Sequence, residues 1–109
     1  MPTPVQQIKL VDIAHALSNV CRFGGQCPTF YSVGCHSMYV ADLLPPELRV
    51  EGLLHDAAEA YMGDMITSLK KHCQDYRTIL DLWEVTVRVA FGLPAHPAPE
   101  VKAAVKRAD

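Results

Sequence analysis

Residues 53–64 read LLHDAAEAYMGD, and their reading decides what the rest of the chain must do. The apolar frame predicts a helix in which His55 and Asp56 are adjacent and Glu59 follows one turn later, able to lean over the same point. Neighbouring helical residues diverge by about 100°, so the imidazole and the carboxylate meet only at a point between their two directions. A divalent cation is such a point, because both groups are ordinary ligands for a hard or borderline metal. The other reading is a hydrogen-bonded His55–Asp56 pair that finishes a helix end. Ala57, Ala58 and Ala60 keep the helix thin, which lets other helices approach and leaves room for a ligand. The metal gains weight because the chain also supplies His36 and Asp109, each where the local pattern favours an apolar residue.

Composition narrows the class. A chain of 109 residues, half of them hydrophobic and a fifth charged, is expected to form one domain over residues 1–109 with a single core. A formal charge of −2 is too small to hold a nucleic-acid polymer by bulk electrostatics, so a phosphate-bearing ligand would need local groups. The start, MPTPVQQIKL, lacks a signal peptide's basic and apolar regions, and no stretch approaches the ~18 apolar residues of a membrane span. A soluble, cytoplasmic protein without membrane contact is the expectation. Cys21, Cys27, Cys35 and Cys73 show no CxxC pairing and are expected to be reduced thiols. The spacing of the first three matches none of the usual zinc knuckles. There is neither GxGxxG nor GxxxxGK[ST], so no organic cofactor is indicated.

The remaining elements follow in order. Asp12 caps a first helix whose inward stripe is Ile13, Leu17 and Val20 or Cys21, with His15 at the surface. Residues 22–29 carry the chemistry of a loop, with Gly24 and Gly25 free to take positive φ. Ser32 caps a second helix that runs to Leu44, before Pro45 and Pro46; on it His36 shares the buried face of Val33 and Val40 and needs a partner there. The third helix spans residues 46–63 and ends at Gly63. After a polar connection over residues 67–71, a fourth helix over residues 74–91 packs Tyr76, Ile79, Trp83, Val87 and Phe91 into the core. The last segment, EVKAAVKRAD, puts Val101, Val105 and Asp109 on one inward face. Five helices and no strand make an all-α chain. His36, His55, Asp56 and Asp109 then come from three helices, and four such ligands can hold a divalent metal with positions left for water and substrate.

The order His, His-Asp, Asp resembles the signature of the HD-domain phosphohydrolases. SVGCHS, LLHDAAEAYMGD and VKRAD, with Arg22 and Phe23 ahead of them, look like the 5′-deoxynucleotidase branch of bacteria and phages, over nearly all of the chain from Asp12 onward. The resemblance implies an HD-domain helical bundle. It implies metal ligation by His36, His55, Asp56 and Asp109, proton handling by Glu59, and an Asp64 that positions water or the sugar. It also implies an Arg22 on the substrate phosphate and a Phe23 beside the deoxyribose. Three departures stand out: Cys35 replaces the usual Glu or Gln, Ile66 and Ser68 replace frequent prolines, and the chain stops at the last ligand. A truncated open reading frame, with the family's further C-terminal helices missing, is therefore expected. Members of the family often form homodimers, so a homodimer is expected too.

Together these readings give a metal-dependent hydrolase that converts deoxyribonucleoside 5′-monophosphates to deoxynucleoside and phosphate. The cation would be Co, Mn, Zn, Mg or Fe, since two imidazoles and two carboxylates suit several ions. The same ligands would serve a deoxynucleoside triphosphohydrolase or an alarmone hydrolase, because the surrounding pocket sets the substrate. A non-catalytic metal- or nucleotide-binding module is the reading outside enzymes.

Overall fold

The computed structural model describes residues 7–63 and 67–109. Among them are seven α-helices and no strand: α1 Leu10–Ser18, α2 Val33–Asp42, α3 Arg49–Leu53, α4 Glu59–Met62, α5 Thr67–Lys70, α6 Gln74–Ala90 and α7 Pro99–Ala108. Two 3₁₀ turns, Arg22–Gly25 and Pro46–Leu48, and a single bridge between Cys21 and Ser32 complete the described secondary structure. None of these helices is long and apolar enough to cross a membrane. The chain is all-α, as the periodicity predicts.

Several boundaries differ from the expected ones, each for a local reason. Lys9, with extended backbone, stands at the N-cap of α1, and Asp12 falls in the first turn, where a carboxylate still opposes the helix dipole. The polar run after residue 66 closes into the short helix α5. The segment from Arg22 is not an open loop but a 3₁₀ turn in which Gly25 takes φ +88° and Phe23, without the excuse of glycine, takes φ +59°.

The largest difference lies in the expected third helix. It breaks into the turn at Pro46, then α3, then a tight turn over residues 54–58, then α4. His55 supplies the reason: its Nδ1–H donates to the Gly52 carbonyl at 2.6 Å, the group that an unbroken helix would offer to the backbone N–H of Asp56. The chain tightens instead into bonds of shorter register, Ala57 N to Leu54 O at 3.0 Å and Glu59 N to Asp56 O at 3.0 Å. Gly63 ends α4 with φ +77°.

The core is built where the stripes meet. Ile13 and Leu17 of α1, Val33 of α2, and Leu80, Trp83 and Val87 of α6 pack around Ala57 and Ala58. Tyr61 stacks on Trp83, ring centroids 4.5 Å apart and 9° from parallel. Ser32 caps α2 as expected, accepting the Cys35 N–H at 3.0 Å. Leu80 is buried although it lies beside the predicted stripe, while Tyr76, Ile79 and Phe91 are half-buried at the margin. A bidentate pair ties α6 to α3: Arg88 donates to both Glu51 oxygens, at 2.5 and 3.0 Å, and a third time to Pro94 O at 2.6 Å.

α3 lies directly on α2, and Gly52 makes the approach possible. A Cβ at that position would sit 3.2 Å from Ala41 Cα and collide with the Leu44 side chain. Gly52→Val is expected to cost about 1–3 kcal/mol through overpacking, seen as a lower urea midpoint with an unchanged slope. An unchanged midpoint would mean that the contact between α2 and α3 carries no strain-sensitive packing.

Candidate metal centre

α2 delivers the first ligand-type group. His36 lies one turn from Val33 and Val40, is 6% exposed, and its buried ring is matched by a partner from the far end of the chain. Its Nε2–H donates to Asp109 Oδ1 at 2.6 Å. Asp109 caps the end of α7, its backbone N–H bonded to Val105 O at 2.8 Å. The buried carboxylate expected at this position is in fact 44% exposed on its side chain, because it stands past the last helical residue with one edge toward solvent. The same oxygen lies 3.4 Å from His55 Nε2.

The turn over residues 54–58 delivers the next two groups. With Nδ1–H committed to Gly52 O, His55 turns Nε2 toward the cluster, the nitrogen that carries the second proton when the ring is charged and a lone pair when it is neutral. Asp56 Oδ2 lies 3.1 Å from that nitrogen, close enough for charge attraction but without hydrogen-bond direction, since His55 Nε2 is buried with no hydrogen-bond partner among the described residues. The two imidazoles meet edge to face, centroids 5.6 Å apart. One donor atom each from His36, His55 and Asp56 lies within 4.8 Å of the others. Donors on one ion with bonds of about 2.1 Å sit roughly 3–4 Å apart, so small side-chain rotations would bring the set onto a common cation. An aimed nitrogen without a hydrogen bond, next to two carboxylates and a second imidazole, is a donor set that fits a divalent ion.

Charge in this cluster is strongly coupled. Burial alone would lower the His55 pKa, but the closeness of Asp56, then the Gly52 carbonyl and the Asp109 charge, outweigh it and push the ring up to about 9 from an ordinary 6.5. For Asp56, burial works to raise the pKa, and the His55 ring with the His36 and Lys70 charges prevails to hold it below the usual carboxylate range. Without a cation, a proton on His55 balances the carboxylates.

Glu59 opens α4 and is 7% exposed. Lys70, from α5, reaches it at 3.2 Å; burial would lower the Lys70 pKa, but the Glu59 carboxylate overrides it and raises it. Sequence reading misses Lys70 because nothing in a polar run at residues 67–71 distinguishes one lysine from its neighbours. Asp64 and Ile66 lie outside the described residues.

Arg22 and Phe23 stand apart from the ligand cluster but are connected to it by an aromatic ring. The Arg22 guanidinium sits 4.5 Å from the Phe23 ring centre and 5.5 Å from that of Tyr31. Tyr31 in turn meets His36 edge to face at 6.2 Å. Tyr31 is the second residue that sequence reading overlooks; its only signal is an aromatic just before the Ser32 cap, at a position assigned to neither the loop nor the helix. On the other side, His55 and Asp109 border a cleft of about 300 Å³ between α6 and α7, walled by Leu54, Ala58, Val87 and Val105, with Lys102 and Lys106 on its rim. Arg22 and Phe23 do not line it. Among the described residues the cysteines take no part in a metal-type cluster.

No family model matches the chain. It is 40% identical over 102 residues to the uncharacterized protein YfdR of Escherichia coli K12, covering 94% of this chain and 55% of that protein. It is 41% identical over 119 aligned positions to an uncharacterized protein of Rhodobacter capsulatus, covering 99% of this chain and 60% of the relative. The chain thus spans little more than half the length of the curated relatives it matches, and neither of their names states an activity.

Proposed function

We propose that this chain carries the hydrolytic centre of an HD-domain phosphohydrolase of the 5′-deoxynucleotidase type, acting on deoxyribonucleoside 5′-monophosphates with a divalent cation bound. One observation supports the reading: donor atoms of His36, His55 and Asp56 lie within 4.8 Å of one another, His55 Nε2 is buried without a hydrogen bond among the described residues, and Asp109, outside that set of three, lies 2.6 Å from His36 and 3.4 Å from His55. These four side chains would hold the cation. It would supply Lewis acidity toward water and a phosphoryl oxygen.

The chain's own groups do the rest. Glu59, buried beside the cluster and held by Lys70, takes the proton of the attacking water. A site with only a structural ion has no use for that carboxylate. Water oxygen bonds to phosphorus as the bond from phosphorus to the 5′-oxygen breaks, and the nucleoside leaves with a proton on that oxygen. Arg22, whose described contacts are with aromatic rings rather than a carboxylate, offsets phosphate charge with a bidentate contact. Phe23, exposed beside it, takes the sugar face, and Asp64 positions water or sugar. The substrate is a free nucleotide rather than a nucleic-acid strand, and the working protein is a cytoplasmic homodimer.

The test is product analysis with protein loaded with Mn²⁺ or Co²⁺ on a panel of nucleotides. Orthophosphate from deoxynucleoside monophosphates is expected. Triphosphate or pyrophosphate as product would move the assignment to a triphosphohydrolase or an alarmone hydrolase, and binding without turnover would favour the non-catalytic module. Glu59→Ala should retain metal and lose about 10²- to 10⁴-fold in rate; rates equal to the wild type would remove Glu59 from the mechanism. His55→Ala should lose metal affinity by at least about 100-fold, measured by elemental analysis after dialysis.

Proton linkage gives a second check. Because folding raises the His55 pKa, its contribution to the metal-free protein is full below pH 6.5 and is lost as pH rises through about 9. Asp56 has the opposite sign, contributing above the ordinary carboxylate range and losing that contribution in acid. A cation must displace the His55 proton, so metal affinity should rise roughly tenfold per pH unit between neutrality and about pH 9. Calorimetry in buffers of different ionisation heat would count the released proton: about one per ion is expected at pH 7, and none would show that the metal-free His55 ring is already neutral there.

A further inference from the structure

Outside the His36, His55 and Asp56 group, two thiols face each other across the turn that carries Arg22. Cys21 and Cys27 place their Sγ atoms 3.5 Å apart, six positions apart in sequence, each half-buried and each a free thiol. Both backbones are pinned. Cys21 bridges to Ser32, flanked by Arg22 N to Tyr31 O at 2.8 Å and Val33 N to Val20 O at 2.8 Å, which ties it to the start of α2. Cys27 is fixed by the turn itself, Gln26 N to Phe23 O at 3.0 Å and Cys27 N to Gly25 O at 2.9 Å. Its thiol donates to the Arg22 carbonyl at 3.8 Å. A disulfide needs about 2.05 Å between sulfurs, so side-chain rotation has only about 1.5 Å left to close. Among the described residues no other sulfur comes within hydrogen-bond distance of Cys35 or Cys73.

We propose that Cys21 and Cys27 form an oxidation site, a dithiol that a hydroperoxide converts reversibly into an intramolecular disulfide. One thiol, as thiolate, attacks the peroxide, giving a sulfenic acid and, for hydrogen peroxide, one water. The second thiol attacks that sulfur, the disulfide forms, and a second water leaves. Two thiols and one peroxide thus give one disulfide and two waters, and exchange with a small thiol returns the reduced pair. The hydrogen bond with Cys21 first, then burial and the Cys21 charge, raise the Cys27 pKa, which argues against Cys27 as the first nucleophile; in the resolving step it gives up its proton, which leaves with the sulfenic hydroxyl as water. Closure makes a small ring around the Arg22–Gly25 turn and fixes Arg22 against Phe23 and Tyr31. The inference rests on sulfur geometry and stands or falls separately from the metal reading.

The full chain is exposed to a modest excess of hydrogen peroxide, its thiols are counted, and its peptides are mapped by mass spectrometry. The expected result is loss of two of the four thiols, a mass decrease of about 2 Da, a crosslink joining the Cys21 and Cys27 peptides, and full reversal by dithiothreitol. The double variant Cys35→Ser/Cys73→Ser should behave as the wild type, while Cys21→Ser and Cys27→Ser should each abolish the 2 Da loss, the sign of one bond between two sulfurs. Peptide mapping of the unmutated chain keeps the test independent of how any variant folds. Four thiols surviving the treatment would overturn the proposal. So would oxygen addition on separate cysteines, or a crosslink that uses Cys35, Cys73 or a second chain.

Discussion

The close approach of α3 to α2 at Gly52 is the constraint on which the site depends. With no side chain at that position, the α3 backbone comes close to Ala41, and the turn that follows α3 is thereby brought beside the helix that carries His36. The ring centres of His36 and His55 end up 5.6 Å apart as a result. The same residue acts a second time through its carbonyl, which accepts the Nδ1 proton of His55 and so decides which ring nitrogen is left for the cluster. Packing and tautomer choice are fixed by one glycine.

Electrostatics explains why such a cluster is tolerated inside a small core. Asp56 and the neighbouring Glu59 are carboxylates with little solvent, and burying such charge without partners is costly. Two partially buried cations offset it locally: the His55 ring, pushed up to about 9, and the ammonium of Lys70 at 3.2 Å from Glu59. A dication bound between the imidazoles would take over the task of the His55 proton, and would then compete with it for the same nitrogen. Lys70 is not part of that competition. Its ammonium faces Glu59 at 3.2 Å.

What the sequence made legible were the features with local causes. Ser32 before an apolar spacing is a cap whatever it packs against, and it accepts Cys35 N–H. The stripe through Trp83 and Val87 is a consequence of helical period alone, and both are buried. His36 on a buried face had to have a partner, and Asp109 supplies it across 73 positions of sequence. What stayed hidden depends on contacts that no local pattern encodes. The Glu51–Arg88 pair joins two helices 37 residues apart, Lys70 acquires meaning only from Glu59, and Tyr31 only from standing between Arg22 and His36. The break in the expected third helix belongs to the same class, because a side chain competing for a carbonyl leaves no mark on periodicity.

That break also resolves a difficulty in the His-Asp pair. On a regular helix the two side chains point about 100° apart, and a shared ligand must sit awkwardly between them. In the tightened turn over residues 54–58, His55 Nε2 and Asp56 Oδ2 approach to 3.1 Å with neither residue at positive φ. The imidazole that displaces the helical hydrogen bond is the same one whose other nitrogen faces the carboxylates, so departure from the helix and assembly of the donor set have a single cause. An asparagine or glutamine at position 55 could compete for the Gly52 carbonyl through its amide N–H. It would then present no imidazole nitrogen to the cluster, whereas histidine can occupy both partners at once.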